Sequence, residues 1–193
     1  MKRTQLKDRQ LPDYTRGEEI FNMVTHIVGG GLAVVILVAC VTVAALHGSI
    51  SGVITSIVYG LSMIMLYTMS SVYHGVSRGY AKKVLQVIDH CTVYFLIVGT
   101  YTPIAVCGLT KVNKAVGWTV FGIVWALAAV AITLTAIDLK KFRVFSMICY
   151  MGMGWCISSP SCRHIMRWGS ADSSCSSQAV CSTHSARYST GSG

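Results

Sequence analysis

Between Phe21 and Ile137 the chain alternates long apolar runs with short polar breaks. Each run exceeds the about 20 residues needed to cross a hydrocarbon core as a helix. The pattern predicts four spans: Phe21–Leu46, Gly52–Tyr73, Val84–Val106 and Val116–Ile137. The breaks are "HGSIS", "HGVSRGYAKK", "GLTKVNK" and "DLKKFR". Ahead of the first run, Thr15 has Glu18 three residues later, the spacing of a capping box, so a helix is predicted to start there. Pro103 falls near the end of span three and is the one helix-breaking proline in a span.

A fifth run opens at Val144, "VFSMICYMGMGWCI", and stops after 14 residues, short of a crossing. From Ser158 onward 12 of 36 residues are Ser, and Leu, Lys, Glu and Phe are absent. Such a segment has neither helical nor strand periodicity and reads as disordered. The expected organisation is a polar lead (1–16), a transmembrane bundle (17–157) and a Ser-rich tail (158–193), the tail being the product of a frameshift or artefact. The fold class is all-α integral membrane, with four full spans and a partial fifth.

Composition agrees with the pattern. The chain is 53% hydrophobic and 12% charged, about half the charged fraction of a soluble domain. Its net charge of +9 is distributed in short breaks rather than along one face with interleaved aromatics, which argues against nucleic-acid binding. Eleven Lys/Arg lie in the lead and in the breaks after spans two and four, against two after span three and none after span one. This bias predicts a cytoplasmic N-terminus and a multi-pass protein of the plasma (inner) membrane, in contact with its lipids. The basic lead is too long for a signal peptide, so span one is read as uncleaved. Of eight cysteines five lie in apolar runs, as small hydrophobes, and there is no CxxC.

That topology gathers polar residues at one end. Glu18, Asn22 and His26 form an i, i+4, i+8 stripe at the start of span one. Ser70 and His74 share a face at the end of span two, and Asp89 and His90 open span three. Asp89 and His90 point about 100° apart, so only one of them joins a given cluster. Plain readings stand beside the functional ones. Tyr73 and His74 suit a membrane interface, Ser70 can bond back one turn, and His26 can be a helix-start histidine without a ligand role. Asp89 has no such plain reading, because a carboxylate inside a span is a functional hypothesis by default. Imidazoles with a carboxylate are the set that metal-assisted hydrolysis uses. Spacing alone leaves that set incomplete.

"GEEIFNMVTH" (17–26), "SSVYHG" (70–75), "IDH" (88–90) and "GTYTP" (99–103) together resemble the hemolysin III family, within the progestin and adipoQ receptor group. The resemblance implies a seven-helix membrane fold with a cytoplasmic N-terminus. It also implies a zinc ion held by the His of S-x-x-x-H, here His74, and by two His of an H-x-x-x-H in the last span. Ser70 and Asp89 would then support the zinc-bound water, and ceramidase-like amide hydrolysis would be the activity. The chain contains no H-x-x-x-H; His164 and His184 lie in the Ser-rich segment. Two of three zinc ligands are therefore missing, the expected site is incomplete, and this chain is expected to bind zinc poorly and to be inactive as the family's hydrolase. The alternative is a non-enzymatic role in membrane perturbation, pore formation or membrane homeostasis. A transporter would call for two related halves, and no internal repeat is visible.

Overall fold

The computed structural model describes residues 11–138. The expectations for the fifth run and the Ser-rich segment lie outside these residues. Within them all regular structure is helical: α1 (Arg16–Leu46), α2 (Ile50–Gly75), α3 (Tyr80–Pro103), a π-helical segment (Ile104–Leu109), α4 (Thr110–Val112) and α5 (Lys114–Ile137).

Local chemistry sets the helix ends. Thr15 adopts an extended conformation and caps α1. Its hydroxyl accepts from the Glu18 N–H, and its own N–H donates to Glu18 Oε2 at 2.7 Å. The predicted capping box is therefore present. At the far end His47 Nδ1 bonds the Val43 carbonyl at 2.8 Å, Gly48 takes φ +63°, and Ser49 caps α2 by accepting from the Gly52 N–H. The positive φ is what a glycine supplies without a Cβ penalty. Asn113 caps α5 through the N–H groups of Ala115 and Val116.

Four helices are long and apolar enough to cross a membrane: Arg16–Leu46, Ile50–Gly75, Tyr80–Val112 and Lys114–Ile137. They match the four predicted spans, but the third is longer at both ends, opening at Tyr80 inside the predicted break "HGVSRGYAKK". The third span runs on past Val106, through most of the predicted break "GLTKVNK", and reaches Val112. Pro103 lacks the N–H that would bond back one turn. The chain answers by widening into a π segment after the proline rather than ending the helix.

The helices pack in chain order, α1 on α2, α2 on α3, and α3 on α5. The α3–α5 seam forms the core: Tyr94, Val98 and Tyr101 interleave with Val124, Ala128 and Ala131. Small residues allow close approach elsewhere, as is common where lipid supplies no hydrophobic drive. Gly60 sits against Leu37, and Gly29 lies under the Tyr67 ring, where a Cβ would come within 2.6 Å of it. Much of α1 is left open, with Val28, Leu32, Val35 and Val38 exposed along it. Among the described residues α1 and α3 do not pack directly.

Candidate functional site

The start of α1, the end of α2 and the start of α3 meet at one end of the bundle, as the antiparallel order of spans requires. Each helix brings a pair of residues seven apart: Glu19 and His26 on α1, Tyr67 and His74 on α2, Lys82 and Asp89 on α3. Seven residues return to within about 20° of the same direction, so each pair lies along a single stripe.

Glu19 is the hub. One carboxylate oxygen, Oε2, accepts from His74 Nδ1 at 2.6 Å, and the other, Oε1, accepts from Lys82 Nζ at 2.8 Å. All three side chains are withdrawn from solvent, with 15% of Glu19, 9% of His74 and 4% of Lys82 exposed. Lys82 also donates to the Val76 carbonyl at 3.0 Å and stands 5.2 Å over the Tyr73 ring. Its charge is thereby met by a carboxylate, a carbonyl and an aromatic face, as a buried ammonium requires.

His74 is enclosed by rings. Tyr73 lies 4.8 Å away centroid to centroid, Tyr14 5.8 Å and His26 5.9 Å. His26 also leans on Tyr67, and its Nδ1 is buried without a hydrogen-bond partner. Asp89 lies on the same stripe of α3 as Lys82, its side chain largely withdrawn from solvent. Ser70 is buried one turn before His74. Its neighbour Ser71 bonds back along α2, donating to the Tyr67 carbonyl at 2.7 Å.

The other sequence-derived residues fall to the side of this centre. Glu18 is spent on the capping box and, with Asn22, Tyr14 and Phe21, lines a shallow groove of about 330 Å³. His90 turns its Nδ1 to the Gln86 carbonyl at 2.8 Å, and its Nδ1 lies 3.9 Å from Asp89. The stripe Glu18–Asn22–His26 thus splits, and Glu19 takes the place given to Glu18. The signal was available: Glu19 and His26 are seven apart, and a capping-box glutamate is already committed to its cap. Lys82 was missed for another reason. A lysine in a basic break between spans counts first as a topology charge, whereas here it is helical and buried.

A neutral imidazole that donates from Nδ1 to a carboxylate is held in one tautomer and orientation, leaving Nε2 with its lone pair. Such a group can take a proton from water or bind a metal. Zinc in a catalytic site asks for about three protein ligands. Among the described residues no group of three His, Cys, Asp or Glu side chains is placed to hold a metal ion. His26 and His74 approach each other, but no third donor joins them. The described residues do not fit the zinc set that the resemblance implies.

Four apolar spanning helices with a buried polar cluster at one end define a multi-pass helical membrane protein. Comparison with known proteins then gives the family. The family model described as "Haemolysin-III related" matches residues 14–192, and the chain belongs to that family. It is 36% identical to Hemolysin-3 of Bacillus cereus over 140 residues, covering 72% of this chain and 63% of the relative. It is 36% identical to the Hemolysin-3 homolog of Bacillus subtilis (strain 168) over 142 residues, 74% of this chain and 65% of the relative. The Homo sapiens Monocyte to macrophage differentiation factor is 27% identical over 110 residues, 53% of this chain and 44% of that protein. The chain thus spans just under two thirds of the length of its bacterial relatives. No solved structure matches it.

Proposed function

We propose that the protein hydrolyses an amide bond in a lipid-like substrate, using the polar end of the bundle, and that this end faces the cytoplasm from the plasma (inner) membrane. The observation that carries the reading is the 2.6 Å hydrogen bond between Glu19 and His74. It makes Nδ1 the donor, so that in the neutral imidazole Nε2 carries the lone pair a general base needs. In the step the described residues support by themselves, water gives a proton to His74 Nε2 and adds to the amide carbonyl. The imidazolium then returns the proton to the leaving amine. Glu19 steadies the imidazolium that forms between these events, and Asp89 orients the water. Ser70, one turn below His74, supplies a hydroxyl to the same end. The ligand role of His74 belongs to the family resemblance and calls for donors beyond the described residues.

A second reading, perturbation of the bilayer, is favoured by the exposed apolar length of α1 and by the name hemolysin carried by the relatives. One experiment separates them. The full chain is reconstituted into vesicles that contain a ceramide-type amide and an entrapped dye. Hydrolysis predicts release of fatty acid that falls about 100-fold or more in His74→Ala and clearly in Asp89→Asn. Dye release that persists in both variants, with no amide cleavage by the unaltered protein, would replace the first reading with the second.

A further inference from the structure

Lys82 is out of place for a topology charge. It is the third residue of α3, in the first turn, where the helix dipole disfavours a cation. That turn contains no acidic residue and Gly79 offers no side-chain cap. The side chain nevertheless lies inside the protein, 4% exposed. What holds it there comes from the other two helices. Glu19 of α1 meets it at 2.8 Å, and the Tyr73 ring of α2 lies beneath it, with the Val76 carbonyl just beyond α2. Since α1 and α3 do not pack on each other, Lys82 and Glu19 bridge them past the end of α2 with side chains alone.

The bridge has a geometric consequence. A glutamate bound only to His74 could rotate about its last bonds and offer either oxygen at a range of angles. With Oε1 tied to Lys82, the directions open to Oε2 are fewer, and the one it takes meets His74 Nδ1 at 2.6 Å. We propose that Lys82 is a positioning residue of the His74 site, clamping the Glu19 carboxylate so that His74 is held with its proton on Nδ1 and its Nε2 open. This deepens the reading of His74 as the reactive imidazole and rests on it.

The test reads the imidazole directly. The full chain, labelled with ¹⁵N-histidine, is placed in lipid nanodiscs, and the His74 signals are assigned by their loss in His74→Gln. The unaltered protein and Lys82→Arg show the Nδ1–H form as the dominant species. Lys82→Met loses that dominance to the Nε2–H form, while Lys83→Met, the same charge change one residue on, does not. Helix content by circular dichroism accompanies each sample. If Lys82→Met is not recovered folded, Lys82→Gln, too short to reach Glu19, is read in the same way with the same expectation. A wild-type signature retained in a folded Lys82→Met or Lys82→Gln overturns the proposal, as does an unaltered protein whose His74 carries its proton on Nε2. The signature does not depend on turnover. A chain that shows it but cleaves no amide loses the reaction and keeps the clamp.

Discussion

Replacing Glu19 with Gln changes almost no volume but reverses one contact. The carboxylate has two acceptor oxygens facing two donors, His74 Nδ1 and Lys82 Nζ. The amide has one acceptor and one NH₂, so whichever way it turns, a donor faces a donor. In addition the Lys82 ammonium, 4% exposed, loses its only carboxylate among the described residues. Removing one partner of a buried ion pair destabilises by about 3–5 kcal/mol. The 15% exposure of Glu19 places this pair near the lower figure, about 3 kcal/mol. For a chain of this size that corresponds to a fall in melting temperature of roughly 6–12 °C. Thermal unfolding in detergent micelles, followed by circular dichroism, measures it. The double variant Glu19→Gln/Lys82→Met removes the stranded charge as well, and is expected to recover part of the loss. If Glu19→Gln melts with the unaltered protein, or if the two substitutions simply add, the pair is not the buried bridge described above.

Other expectations follow from the same geometry. Thr15→Ala removes the α1 cap and should destabilise by about 1 kcal/mol, read as a small drop in melting temperature. Gly60→Val drives a side chain into Leu37, since even a Cβ there would lie 2.5 Å from it; a cost of about 1–3 kcal/mol is expected. Gly31→Ala, with nothing within 4 Å, should melt unchanged or slightly higher, and serves as its control. If the N-terminal end is cytoplasmic, a cysteine replacing Asp13 in a cysteine-free background resists a membrane-impermeant maleimide in intact cells and reacts after lysis. Labelling of intact cells would reverse the assignment.

Much of the architecture could be read from the apolar runs, because a spanning helix must satisfy its backbone internally and must be long. The four spans came from that logic, and the Thr15–Glu18 cap from the spacing of a capping box. The extension of the third span did not, since a proline followed by Gly, Lys and Asn reads as a stop. The structure shows instead a π segment that follows Pro103 and packs against α5. At the site, His74, Ser70 and Asp89 could be placed at one end from topology alone. Glu19 and Lys82 could not be chosen over Glu18 and Lys83 by residue type. Rotation about the helix axes decides between neighbours, and Thr15 had already claimed Glu18.

That choice between neighbouring glutamates is also the most direct test of the account. The measurement is the rate of amide cleavage in vesicles by Glu19→Gln and Glu18→Gln, at matched protein and helix content. If Glu19 orients the reactive imidazole, Glu19→Gln loses about 10–100-fold, the usual effect of removing a group that orients a functional histidine, while Glu18→Gln cleaves at the unaltered rate. Full activity in Glu19→Gln with loss in Glu18→Gln would contradict the site as described.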